Sequence, residues 1–91
     1  MSYDYKRERH SVFTEDGVRR VIRMRTKALE LIGIAGAVRA DKVLESSGGG
    51  SSFHALAALD YLVETGDLVA IPMREGSWAQ HQVYVTGEKQ A

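Results

Sequence analysis

Residues 53–71, FHALAALDYLVETGDLVAI, change period halfway along, and that change limits the folds open to the chain. Up to Thr65 the apolar positions Phe53, Leu56, Leu59, Leu62 and Val63 recur at steps of three and four, the spacing that lines one helical face. Beyond Gly66 the run Leu68-Val69-Ala70-Ile71 is short and rich in β-branched residues, as strands are. Glycine at the junction tolerates the left-handed backbone that ends helices. The segment therefore reads as a helix capped by Ser51 or Ser52, stopped at Gly66, and followed at once by a strand. That strand needs a partner. AQHQVYVTG supplies one, alternating so that Val83 and Val85 face one way, with the turn carried by REGSW. Pro72 cannot donate to a ladder and belongs at the end of its strand.

Upstream, FTEDGVRRVIRMRTKALELIGIAGAV reads as a long helix. Thr14 is placed to cap it, and Glu15 and Asp16 suit the positive first turn. At 100° per residue, Val18, Val21, Ile22, Ala28, Leu29 and Ile32 share one face, with Arg19, Arg20, Arg23 and Lys27 opposite. Arg25 falls in the apolar stripe, which calls for a carboxylate partner or a break. A hairpin turning at Asp16-Gly17 is the competing reading. Gly33 and Gly36 end the element, Val38 forms a short extended link, and residues 40–46, ADKVLES, form a compact second helix with Val43 and Leu44 inward.

The order is helix, link, helix, helix, strand, turn, strand. This predicts an α+β fold, mostly α, with one core where three helices meet and a hairpin over one edge. Ninety-one residues suffice for one small domain and not for two. Residues 1–13 lack periodicity and are expected to form a partly flexible basic arm, 14–87 the domain, and 88–91 a frayed tail. Trp78, beside the hairpin turn, is expected to fold back over the core; Tyr61 and Tyr84 are assigned to packing edges.

Several chemistries find no support. SSGGGSS has no lysine after its glycines, as a nucleotide-binding loop requires, and a helix rather than a strand precedes it. It reads as a turn whose free backbone N–H groups suit phosphate. His10, His54 and His81 share no metal-ligand spacing, cysteine is absent, and no nucleophile motif occurs. Neither catalysis, metal nor cofactor is expected. No apolar run is long enough to cross a bilayer and the start lacks a signal-peptide core, so no membrane partner and a cytoplasmic location are expected.

Net charge is zero, but its distribution is uneven. Residues 1–30 hold eight basic and five acidic side chains, a surplus of three positive; residues 31–91 hold four and seven, a surplus of three negative. The arginine-rich stretch 19–27 fits phosphate or an acidic partner equally well.

With those elements in place, the chain resembles the winged helix-turn-helix family. The similarity rests on Leu59, Leu62 and Gly66-Asp67-Leu68-Val69, which look like the family's leucines before the glycine that leads into the wing. ALELIGIAGAVRADKVLE adds the pattern of first helix, small-residue corner and second helix. The resemblance implies a three-helix winged helix-turn-helix with a C-terminal β-hairpin wing that binds double-stranded DNA. The third helix then presents Ser51, Ser52, His54, Ala55, Ala58 and Tyr61 outward, and Arg74 and Ser77 sit on the wing. Arg39 and Lys42 meet phosphate, and the arm adds Lys6, Arg7 and Arg9, as minor-groove arms do. The outward face of that helix holds no arginine or lysine but carries Asp60 and Glu64, so arginine-to-guanine readout is closed to it. The expected function is a small transcriptional regulator or accessory factor bound mainly through the DNA backbone. It is expected to act as a two-fold homodimer joined by the arm or the first helix. The alternative is a protein-interaction module using the flat, alanine-rich face at Ala55 and Ala58.

Overall fold

The computed structural model describes residues 3–48, 51–71 and 82–87. Most of them are helical. In chain order the elements are α1 (Tyr5–Glu8), a 3-10 turn (Arg9–Phe13), α2 (Glu15–Ala35), β1 (Val38–Arg39), α3 (Ala40–Leu44), α4 (Ser52–Glu64), β2 (Leu68–Ile71) and β3 (Val83–Thr86).

The three strands form one antiparallel sheet in the order β1-β3-β2. Tyr84 of the central strand lies opposite Val38 on one side and Ala70 on the other. Side chains alternate along a strand, so burial of Tyr84 turns Val83 and Val85 partly toward solvent. Tyr84 is thus a core residue and not the edge expected for it. The extended link at Val38 is also more than a link, because it completes the sheet.

The core gathers Met24, Ala28 and Ile32 from α2, Val38 from β1, and Ala40 and Val43 from α3. Ala58, Leu59 and Leu62 of α4 join Leu68 and Tyr84 of the sheet. Helix α4 matches its expected span, with the Ser51 hydroxyl accepting from the Phe53 N–H at 3.2 Å. Ala55 and Ala58 are buried, contrary to the outward placement expected of them, and so is Ala57. Small side chains allow the close approach of neighbouring elements, so these alanines mark contact rather than an open surface.

Helix α2 forms as expected in place of the hairpin, and Gly36, in left-handed conformation, ends it. Gly33 lies inside the helix. Its rotation differs from the expected one by about a quarter turn. The buried positions are Gly17, Arg20, Met24, Ala28 and Ile32. Val18 and Ile22, expected inside, are 48% and 58% exposed. Arg20, expected outside, is only 8% exposed, and its Nε has no hydrogen-bond partner.

The cause is a backbone contact. A Cβ on Gly17 would overlap the carbonyl oxygen of Ser11. The Thr14 hydroxyl fastens the same spot, accepting from the Gly17 N–H and donating to the Ser11 carbonyl, each at 2.9 Å. Only a side-chain-free position admits the turn so closely, and this selects the inward face. At this contact Ser11 and Val12 are buried, so the chain just before α2 packs on the domain there.

Among the remaining expectations, those for Pro72, Arg74, Ser77, Trp78, His81 and the tail 88–91 lie outside the described residues. Gly17→Ala is predicted to cost about 1–3 kcal/mol, as overpacking does. Leu62→Ala is predicted to cost about 2–5 kcal/mol. Chemical denaturation measures both. A Gly17→Ala protein as stable as the parent would contradict the account of α2 rotation.

Candidate nucleic-acid interface

Helix α4 has two unlike ends. Its outward row, opposite the core positions, runs Phe53, Ala57, Asp60 and Glu64, with Tyr61 alongside. The N-terminal segment lies along this row. Tyr3 packs edge-on against Phe53 with ring centroids 5.8 Å apart, and its hydroxyl donates to Asp60 at 2.7 Å. The Tyr5 hydroxyl donates to Glu64 at 2.7 Å. Arg9 grips Glu64 through two bonds, Nε to Oε1 at 3.0 Å and Nη2 to Oε2 at 2.7 Å. The Arg9 guanidinium also stands 4.9 Å from the ring centre of Phe13, which meets Tyr61 edge-on at 5.5 Å.

These contacts shift the groups involved. The Arg9 guanidinium, helped by the Tyr5 hydroxyl, holds the Glu64 carboxyl down at about 2. Burial, and then the Glu64 carboxylate, push the Tyr5 phenol up to about 12. Tyr3 rises for the same two kinds of reason, with Asp60 as its carboxylate. Asp60 itself is raised by burial, against the opposing effect of its Tyr3 bond.

The other end of α4 is the hydroxyl-rich start. Ser51 and Ser52 are exposed and His54 is half-buried. The preceding turn is tied down on its α3 side. The Ser46 hydroxyl donates to the Val43 carbonyl at 2.6 Å, and Arg23 of α2 donates to the Ser47 carbonyl at 2.6 Å. Lys27 lies one helical turn further along α2, and Arg23, Lys27 and Ser46 border a shared surface depression. A second depression joins the C-terminal end of α2 to Arg39 and Lys42. Arg23, Lys27, Arg39 and Lys42 therefore frame α3 and the turn that follows it.

Three of those four cations are already paired. Arg39 bonds Asp41 through Nε at 3.1 Å and Nη2 at 2.7 Å, which holds the Asp41 carboxyl below its usual range. Lys42 lies 3.7 Å from Glu45, and Lys27 lies 3.8 Å from Glu30. Four cations beside three carboxylates leave a nearly neutral frame. Such a surface acts at contact distance and steers little from afar.

The expected site residues are thus divided. Arg39, Lys42, Ser51, Ser52 and His54 lie on α3 and the start of α4. Lys6 and Arg7 are exposed on α1, without a side-chain hydrogen bond or ion pair among the described residues. Arg9 is engaged at the opposite end of α4. Arg74 and Ser77 fall outside the described residues. Arg23 was not singled out individually within the basic stretch 19–27; its bond to the Ser47 carbonyl, 24 positions away, leaves no local sequence signal. Arg25 meets Asp67 at 3.3 Å, the carboxylate its place in the apolar stripe called for.

Among the described residues no group of three metal-ligating side chains occurs, and no helix is long and apolar enough to cross a membrane. No protein-family model matches the chain, and no curated protein or solved structure is significantly similar to it.

The pKa directions give a signed prediction. Glu64 ionises ordinarily at 4.5 and here at about 2. Its contribution to holding the N-terminal segment is complete above the ordinary value and fades as pH falls toward the lower one. Tyr5 works from the other side, contributing fully below 10 and losing that contribution as pH rises toward about 12. Glu64→Gln is predicted to move the Tyr5 ionisation back toward its ordinary value. Ultraviolet phenolate titration against a Tyr5→Phe reference measures this; an unmoved titration would remove Glu64 as the cause.

Proposed function

We propose that the chain is a small winged-helix DNA-binding protein, a transcriptional regulator or accessory factor that holds double-stranded DNA chiefly by its phosphates. The observation that carries this reading is topological. A long helix, a short strand, a short helix, a turn and a third helix lead into two strands, and the sheet order is β1-β3-β2. The order of three helices followed by two strands is the one that the resemblance implies; the pairing of β1 adds to it. The contact surface is the start of α4 with Ser51, Ser52 and His54, the turn before it, and Arg23, Lys27, Arg39 and Lys42.

Exchange of a carboxylate for a phosphate is inexpensive at such a surface, because exposed ion pairs contribute little to stability. Four phosphate contacts correspond to a slope of roughly −3 to −4 in log K against log salt. Fluorescence anisotropy of a labelled duplex at low and rising ionic strength tests the reading. Charge reversal at Arg39 and Lys42 is predicted to abolish binding. Absence of binding to any duplex at low salt would falsify it.

The rival reading keeps the fold as a protein-interaction module. Its original seat, the face at Ala55 and Ala58, is buried, and the row beside it is covered by the N-terminal segment. The exposed apolar surface lies elsewhere, where Phe13 (54% exposed), Val18 and Ile22 border a groove with Tyr61. The occupant proposed for it is a second copy of the chain. Helix α2 carries Glu15 and Asp16 before the patch and Arg19 beside it, so two copies crossing antiparallel set acids against arginine. Sedimentation is predicted to give a dimer that Ile22→Glu converts to monomer. A monomeric parent at high protein concentration would rule out this use of the patch.

A further inference from the structure

The contacts over α4 are built differently from the rest of the fold. Helix α1 has four residues and none is buried. The segment is held by polar tips: Tyr3 on Asp60, Tyr5 on Glu64, and Arg9 on Glu64. At the Arg9–Glu64 pair both side chains remain about two-fifths exposed, 43% and 40%. Firm anchoring begins only at Ser11 and Val12, beneath the Gly17 contact. Residues 3–9 hold α4 through these side chains, while the Ser11 hydroxyl donates to the Glu8 carbonyl at 2.7 Å, so release frees the tyrosines and the Arg9 side chain and leaves the backbone of the 3-10 turn in place.

What lies beneath matters. The segment covers the row Phe53-Ala57-Asp60-Glu64, and its leading residue sits on Phe53 in the first turn of α4, beside Ser51, Ser52 and His54. In a winged-helix protein that side of the third helix meets the groove. The same segment carries Lys6 and Arg7, exposed cations at the front of the chain. When closed, the latch fills the approach to α4 and holds one of its three arm cations, Arg9, against Glu64.

We propose that residues 3–9 form an autoinhibitory latch on α4, whose release opens the approach to that helix and hands the Lys6, Arg7 and Arg9 side chains to DNA phosphate. The inference rests on the DNA-binding reading above and adds a regulation to it. A phosphate competes directly for Arg9, since its oxygens accept the same bidentate pair of N–H groups as the Glu64 carboxylate. Opening also bares two carboxylates on α4, which disfavours a groove-inserted pose and leaves the freed arm as the main source of gained affinity.

The test uses the full chain and starts from a variant that does not change its charge. Tyr3→Phe with Tyr5→Phe removes two hydrogen bonds to carboxylates and keeps both rings. Latch opening is read by amide exchange at Arg7 and Glu8, whose N–H groups donate to the Asp4 carbonyl at 3.1 and 3.0 Å. DNA affinity is read by anisotropy with the same duplex. The double variant is expected to exchange faster and to bind on the order of tenfold tighter, the scale set by losing bonds to charged acceptors. Adding Lys6→Ala and Arg7→Ala should remove that gain. Arg9→Gln sharpens the contrast, because loss of a cation alone weakens DNA binding, whereas release of the latch offsets or reverses the loss. DNA binding indifferent to the tyrosine substitutions, whether or not exchange quickens, overturns the latch and leaves the DNA-binding reading intact. No binding by the parent or any variant at low salt overturns both.

Discussion

The backbone of α2 and the Ser11 carbonyl meet so closely at Gly17 that no side chain fits between them, and much of the molecule follows from that contact. The approach is possible on one side of α2 only, so it fixes the rotation of a 21-residue helix. Met24, Ala28 and Ile32 turn inward with Gly17, while Val18 and Ile22 are left on the surface. Thr14 secures the junction from the helix end, since a single hydroxyl serves as donor to one strand of backbone and acceptor from the other. From this anchor the chain before Ser11 has a fixed departure point, and its tyrosines and Arg9 fall along α4. The exposed apolar patch and the covered α4 row are two consequences of one approach.

Stability and electrostatics are separated in this fold. The buried cluster from three helices and three strands supplies the apolar burial on which a small domain depends. The ion pairs lie mostly at the surface, where pairing yields little net stabilisation. Their effect is on the field. Arg39 with Asp41, Lys42 with Glu45 and Lys27 with Glu30 form dipoles a few ångströms long, and the potential of a dipole decays faster than that of a lone charge. A chain with zero net charge arranged in this way neither repels nor attracts a polyanion strongly until contact. Under the DNA-binding reading proposed above, recognition would depend on exchange of partners at the surface.

How much of this could be read from the sequence depends on the range of each signal. Helix α4 and β2 were legible because Leu59, Leu62, Gly66 and Leu68 carry a local period and a local stop. The strand β1 was not, since two residues have no period and Val38 becomes strand only by pairing with Tyr84. The phase of α2 misled because Val18 and Ile22 are apolar and Arg20 is charged. A backbone contact overrode that composition, and pattern reading weighs side chains alone. Ala55 and Ala58 looked like bland surface for the opposite reason, being small where neighbouring elements come close. The site was least legible. Tyr3, Tyr5 and Arg9 find their partners 57, 59 and 55 positions away, beyond any window of local periodicity.

The division of cations follows from the polarity of α4 itself. Backbone dipoles leave the C-terminal end of a helix partially negative. Asp60 and Glu64 sit in that half and Asp67 just beyond, an arrangement that is unfavourable without compensation. Arg9 and Arg25 supply it, with the Tyr3 and Tyr5 hydroxyls as further donors. Those arginines are thereby committed to one end. At the other end the dipole is positive, the capping groups are uncharged serines, and Arg23 adds its charge through the Ser47 carbonyl. An anion approaching α4 broadside meets carboxylates and the segment that neutralises them. One approaching the first turn end-on meets N–H groups, hydroxyls and a guanidinium. The sequence of acids along a single helix thus sets which end of α4 the N-terminal segment covers and which end stays open to an anion.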